Sequence, residues 1–187
     1  MGGPAPVAVV FTGLPGTGKS TLADLLARRI RAPSIAGDWL LAALKPYGVL
    51  GGLDRESYLS LYHDLIERLL TRQLMLGQSA VVDGIVSDAV AARWNDLVDH
   101  YAGRLLVVEC VCGDPALHRR RLAGRTRDIP GWHEVGWDHV ERMRLEFPPL
   151  SHPDLVVDAV HPVEHNLRLV VDRLSGPHAD SGRPAGG

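Results

Sequence analysis

Long apolar stretches are missing from this sequence of 187 residues. No run approaches the roughly 18 to 20 consecutive apolar residues that a membrane-spanning helix needs. Residues 1–4 form no charged segment and lead directly into a predicted strand, which argues against a secretory signal peptide. With 45% hydrophobic and 22% charged residues, the composition is typical of one globular domain with a full core. We therefore expect a cytoplasmic protein that does not associate with a membrane.

Cysteine is equally scarce. Cys110 and Cys112 are the two cysteines of the sequence, and they stand two positions apart in one apolar run. Side chains at this spacing point the same way from a strand, but neighbours this close rarely form a disulfide. No further residues supply the other ligands of a zinc site. The spacing predicts two buried free thiols, as expected in a reducing cytoplasm.

The sequence also lacks a large excess of either charge. Its formal net charge is −2, which argues against a broad surface for polyanions, and we do not expect nucleic acid as a partner. Of its 20 basic residues, 18 are arginine and the two lysines are Lys19 and Lys45. The position of each lysine is therefore informative.

Short apolar runs alternate with amphipathic segments along the chain. The predicted strands cover residues 7–11, 34–36, 80–83, 105–111 and 155–157. The predicted helices cover residues 19–31, a segment that begins at Trp39, and residues 55–76, 87–101, 114–124, 134–146 and 162–174. Short apolar strands separated by helices are typical of an α/β fold in which a parallel sheet is covered on both faces. We expect one domain over residues 1–174, with a loop at 45–54 and a disordered tail at 175–187.

The segment Gly13–Ser20 matches the phosphate-loop pattern G-x-x-x-x-G-K-[ST], between an apolar strand and an amphipathic helix. The glycines allow the backbone to turn its N–H groups toward an anion, and the helix that follows adds its positive dipole end. Lys19 can reach the β- and γ-phosphates, and the Ser20 hydroxyl can hold Mg²⁺. We predict a site for ATP and Mg²⁺ formed by Gly13, Gly16, Thr17, Gly18, Lys19, Ser20 and Thr21.

Two aspartates follow predicted strands, at the edge of the sheet where ligands bind in such folds. Asp38 ends the second strand and is a candidate general base for an acceptor hydroxyl; the alternative is an N-cap for the helix at Trp39. Asp83 ends the third strand and is a candidate for holding Mg²⁺ or binding substrate, unless it is only a turn residue. Glu109 is a rival to Asp83, but it lies inside its strand. Trp39 is a candidate for lining the acceptor pocket.

Five arginines fall within the nine residues 119–127, at the end of a predicted helix and the start of a loop. Guanidinium groups on such a segment can close over a triphosphate and stabilise the charge that moves during transfer. We predict a lid over residues 114–133. Arg121 and Arg125, four residues apart, are favoured over Arg127 as its phosphate-binding and catalytic residues. The alternatives are a solvated basic patch or a contact to nucleic acid.

In its order of motifs the chain resembles the small P-loop kinases. The motifs are the phosphate loop, Asp38, Asp83 and the arginine-rich segment, and the resemblance covers about residues 5–174. It is most similar to the chloramphenicol-phosphotransferase-like, zeta-toxin-like and polynucleotide-kinase-like branch. The resemblance implies a P-loop NTPase fold with a five-stranded parallel sheet in the order 2-3-1-4-5. It also implies that Asp38 is the general base and Arg125 a lid arginine, with adenine near Arg121 or Arg125 and the loop at residues 158–163.

The sequence departs from this branch at Leu41, where its polynucleotide kinases often carry arginine three residues after the base. This departure favours a small acceptor over a nucleic acid. The leading hypothesis is transfer of the γ-phosphate of MgATP to a hydroxyl of a sugar, a nucleoside or an antibiotic, with Lys19, Asp38, Arg121 and Arg125 as catalytic residues. The alternatives are a kinase of nucleic-acid ends and a regulatory NTPase.

Overall fold

The structure, a computed structural model, describes residues 5–176. Its centre is a parallel sheet of five strands in the order β2-β3-β1-β4-β5, which confirms the predicted topology. The strands are β1 Val7–Thr12, β2 Ser34–Ala36, β3 Ala80–Asp83, β4 Arg104–Val111 and β5 Leu155–Asp158. The helices are α1 Lys19–Ile30, α2 Gly37–Leu44, α3 Arg55–Met75, α4 Asp88–His100, α5 Pro115–Ala123, α6 Trp137–Glu146 and α7 Val163–Ser175. The predicted tail therefore lies, apart from residues 175–176, outside the described residues.

Apolar residues on both faces of the sheet explain why it is covered on both sides. In β1, Ala8 and Val10 pack into the core under α3 and α4. Val9 and Phe11 point the other way, into the core under α1 and α7. Successive residues of a strand face opposite sides, so one continuous apolar run serves two cores.

Three of the described α-helices, α3, α4 and α5, begin at side-chain caps that the sequence contains. Asp54 accepts a hydrogen bond from the Ser57 N–H at the start of α3, and Asp114 caps α5 by accepting from two backbone N–H groups. The predicted helix 134–146 is too long, because α6 begins at Trp137. Glu134 instead accepts the backbone N–H of Arg127, and this contact holds the chain before α6 outside the helix.

The two cysteines differ in burial, which corrects the expectation of two buried thiols. Cys110 lies in β4 and is buried, whereas Cys112 lies beyond the end of β4 and is only half-buried. Both are free. Across residues 5–176, none of the helices combines the length and the apolar character that crossing a bilayer requires.

Candidate active site

The phosphate loop leaves β1 at the carboxyl edge of the sheet and ends at the start of α1. Gly13 has a φ of 139°, and a Cβ there would lie 2.2 Å from the Cys110 carbonyl oxygen of β4. Only glycine fits a position with both constraints. The Thr17 hydroxyl donates a hydrogen bond of 2.8 Å to the Leu14 carbonyl and fixes the turn. The loop is thus held against the sheet by its own residues.

His118 of α5 supports the loop from the other side, a role that the sequence analysis missed. Its side chain is 2% exposed, and Nε2 lies 2.7 Å from the Pro15 carbonyl oxygen, to which it donates. A Cβ on Gly16 would be 3.1 Å from the same ring. The sequence offers only a weak signal for this role, namely that His118 and Leu122 are four residues apart in a helix rich in arginine; in the structure they are its two buried residues.

A cavity of about 450 Å³ opens beside the phosphate loop and is the candidate nucleotide cleft. One wall is the loop and the start of α1, including Gly16, Thr17, Gly18, Lys19, Ser20 and Thr21. The opposite wall consists of Arg121, Arg125, Arg127 and residues between Ala159 and Asn166. The predicted nucleotide-binding residues, apart from Gly13, therefore meet in one cleft that also borders the predicted adenine region.

The lid arginines differ in environment. Arg121 is exposed, whereas Arg125 is half-buried, and its Nη1 has no hydrogen-bond partner among the described residues. Burial lowers the pKa of the Arg125 guanidinium, and the neighbouring charge of Arg127 lowers it further. A buried donor without a partner is costly, so Arg125 is suited to an anion entering the cleft.

A second cavity of about 120 Å³ lies on the other side of Lys19 and is the candidate acceptor cavity. Its polar end contains Lys19, Asp38 and Asp83. The rest of its lining mixes apolar and aromatic residues with Arg55, His133 and His139; the apolar and aromatic residues include Leu41, Tyr58, Leu59, Trp132, Val135 and Met143. Asp38 is not the N-cap of α2, because the helix begins at Gly37, and the carboxylate belongs to its first turn. Trp39 does not line this cavity; it is 52% exposed.

Tyr62 of α3 packs against the glycines next to the two aspartates. A Cβ on Gly37 would lie 2.2 Å from the Tyr62 ring, and a Cβ on Gly84 would lie 2.8 Å from its hydroxyl. The residues beside Asp38 and Asp83 are therefore glycines that make room for one aromatic ring. The Tyr62 hydroxyl accepts the Ile85 N–H at 3.1 Å, and burial raises the pKa of this phenol far above its ordinary range.

Lys19 lines both cavities and faces Asp83 in the acceptor cavity. Lys19 Nζ lies 3.8 Å from Asp83 Oδ1, a buried oxygen that has no hydrogen-bond partner among the described residues. The rival carboxylate, Glu109, instead accepts the Leu150 N–H at 3.1 Å and borders a separate cavity. Burial raises the pKa of Glu109. Asp83 is thus the carboxylate that faces the phosphate loop.

The lid loop, residues 124–136, lies between the two cavities and is held from α2 and the turn after it. Arg127 of the lid loop forms an ion pair with Asp38. Lys45 Nζ donates to the Gly131 carbonyl at 2.9 Å and lies 5.6 Å from the centre of the Trp132 ring. Half of the predicted lid is helix α5, which is anchored by buried His118.

The sequence matches the family of AAA domains over residues 9–150. A comparison with curated proteins gives no match. Among solved structures, the APS kinase of Mycobacterium tuberculosis in complex with AMPPNP and APS is 21% identical, with a TM-score of 0.66 over 93% of this chain and 100% of that one. A sugar kinase of a Janibacter species is 17% identical, with a TM-score of 0.65 over 91% and 95%. A gluconokinase of Sinorhizobium meliloti is 21% identical, with a TM-score of 0.61 over 91% and 92%. At these identities the likeness establishes a shared fold.

Proposed function

The chain belongs to the AAA domain family, and on this premise we propose that it is an ATP-dependent kinase of small molecules. The observation that supports this function is the placement of Lys19 between two cavities, with a phosphate loop on one side and two carboxylates on the other. A phosphoryl-transfer enzyme needs its two substrates to meet at one phosphate. The fold shared with kinases supports the same conclusion.

In the proposed reaction the acceptor hydroxyl lies at the polar end of the acceptor cavity. Asp38 takes the hydroxyl proton as the oxygen forms its bond to the γ-phosphorus, and the bond from that phosphorus to the bridging oxygen of ADP breaks. Lys19 and Arg125 stabilise the negative charge on the phosphates. Arg121, at the exposed rim of the cleft, assists in holding the nucleotide.

Ser20 and Asp83 are the residues proposed to hold Mg²⁺. A hydroxyl and a carboxylate are oxygen ligands of the kind that Mg²⁺ prefers, and Asp83 Oδ1 is buried without a hydrogen-bond partner among the described residues. When bound, Mg²⁺ would neutralise charge on the β- and γ-phosphates.

The acceptor cavity suits a small molecule that carries a hydroxyl and both polar and apolar surface. Besides Lys19, Asp38 and Asp83, its lining includes Arg55, His133 and His139, whereas Trp132 and Met143 offer apolar surface.

The test is a screen for ATP-dependent phosphorylation of alcohols, nucleosides, sugars and antibiotics, with ³¹P NMR to identify the product. Asp38→Asn should abolish transfer to the acceptor so identified and retain nucleotide binding. Asp24→Asn is the matched control, because Asp24 is exposed on α1 and lines neither cavity. Full activity of Asp38→Asn would refute the assignment of the base. Phosphorylation of an oligonucleotide 5′-hydroxyl instead would identify a nucleic-acid-end kinase.

A further inference from the structure

Arg127 has a position that its neighbours in the lid loop do not share. Among the described residues, Arg127 and Lys19 are the two that line both the nucleotide cleft and the acceptor cavity. The Arg127 side chain is 12% exposed, and its Nη1 donates to Asp38 Oδ2. Its Nη2 donates to the His133 carbonyl at 3.0 Å. The guanidinium thus lies at the boundary between the two proposed substrates.

The ion pair occupies Oδ2, one of the two oxygens of the carboxylate that the proposed reaction needs. A guanidinium N–H donated to this oxygen competes with the hydrogen bond of an acceptor hydroxyl to the same atom. The guanidinium of Arg127 therefore competes with an acceptor hydroxyl for this oxygen of Asp38.

Glu134 holds Arg127 near its backbone, while the end of the Arg127 side chain borders both cavities. The backbone N–H of Arg127 donates to Glu134 Oε1 at 2.8 Å, and the side-chain Nε lies 3.4 Å from Glu134 Oε2. From this anchor the guanidinium borders Asp38 on one side and the nucleotide cleft on the other. A nucleoside triphosphate would bring several negative charges into the cleft, more than the single charge of Asp38.

We propose that Arg127 is a two-position switch that couples nucleotide binding to release of the base. With the cleft empty it pairs with Asp38, and with a nucleoside triphosphate bound it moves to the terminal phosphate and leaves Asp38 free for the acceptor. This inference rests on the proposed function. It follows that triphosphate binding has to break the Arg127–Asp38 pair, whereas diphosphate binding does not.

A thermodynamic cycle measured by calorimetry tests this coupling without any acceptor. The probes are AMPPNP with Mg²⁺ and ADP with Mg²⁺, and the proteins are the wild type, Asp38→Asn, Arg127→Gln and the double variant. Asp38→Asn should bind AMPPNP about fivefold more tightly, as expected when binding no longer breaks a partly exposed ion pair. Its affinity for ADP should stay unchanged. The gain should vanish in the Arg127→Gln background.

Two results would overturn the switch. One is no gain for Asp38→Asn; the other is an equal gain with and without Arg127, because loss of a negative charge alone would then explain it. Thermal melts check that each variant folds, and Arg127→Met is a second charge-free replacement if Arg127→Gln does not fold. The proposed function is tested separately. If Asp38→Asn keeps its kinase activity but shows the expected coupling in the cycle, Asp38 is not the base and the switch stands. If Asp38→Asn is inactive but shows no coupling, Asp38 stands as the base and the switch is refuted.

Discussion

The nucleotide cleft and the acceptor cavity share Lys19 and Arg127, but they are built in different ways. The cleft is dominated by one continuous segment, the phosphate loop and the start of α1, whose glycine-rich backbone forms the wall. The acceptor cavity is assembled from side chains of α2, α3, α6, the lid loop and the end of β3. The cleft therefore depends on local backbone conformation, whereas the acceptor cavity depends on how distant elements pack.

The largest effect is expected from replacing Lys19, and the contrast with Lys45 distinguishes the nucleotide cleft from the acceptor side. Lys19→Ala should lower kcat/KM about a hundredfold or more, because a cation on the transferring phosphate is lost. Lys45→Ala should leave nucleotide affinity within about twofold and act on the acceptor KM, since the Lys45 ammonium contacts Gly131 and Trp132 of the lid loop and does not line the nucleotide cleft. Steady-state kinetics with both substrates varied would measure this contrast. Equal effects of the two variants on nucleotide affinity would contradict the division into two regions.

An intermediate effect is expected from Gly37→Ala, which disturbs the acceptor side alone. The added methyl group would overlap the Tyr62 ring, and such overpacking destabilises by about 1–3 kcal/mol. Gly52→Ala is the control, because a Cβ at that position meets nothing within 4 Å. Denaturant unfolding measures the loss, and calorimetry with ADP should show nucleotide affinity retained. A stability equal to that of Gly52→Ala would mean that the Tyr62 ring does not crowd position 37.

The smallest effect concerns pH and His63, which lies beneath the acceptor cavity. The His63 ring is buried, and Nε2 lies 3.0 Å from the Ile85 carbonyl oxygen. Burial lowers the pKa of His63 below its usual value of about 6.5. The unfolded chain then binds the proton more readily, so the free energy of unfolding falls as the pH drops below about 6.5.

His63→Gln removes this titration. Between pH 7.5 and 5.5 the wild type should lose more of its free energy of unfolding than the variant, as measured by urea unfolding at each pH. Parallel losses in the two proteins would show that His63 does not contribute to the pH dependence.

The contrast between a cleft built from one continuous segment and a cavity assembled from distant elements explains which residues could be predicted from the sequence. The phosphate loop is a contiguous pattern, and Asp38 and Asp83 were found because each ends a strand of a recognisable parallel sheet. Tyr62 was missed because, inside amphipathic α3, it is indistinguishable from an ordinary core residue. Contacts over such sequence distances leave no local signal.

The arginines show a different limit. A spacing of four residues places Arg121 and Arg125 on one face only if the helix continues through both, but α5 ends at Ala123. Arg125 and Arg127 therefore lie on irregular backbone, where spacing does not set direction. This is why helical spacing favours Arg121 and Arg125 and gives no signal for Arg127, the arginine that contacts Asp38.

The scarcity of lysine has a practical consequence. Lysine amines are the side chains that acylating reagents modify, and this sequence has two of them. Lys19 is 11% exposed between the two cavities, and Lys45 is exposed against the lid loop. A single labelling reaction read by peptide mass spectrometry thus carries two separate reporters. Protection of Lys19 records nucleotide occupancy, and protection of Lys45 records how closely the lid loop is held.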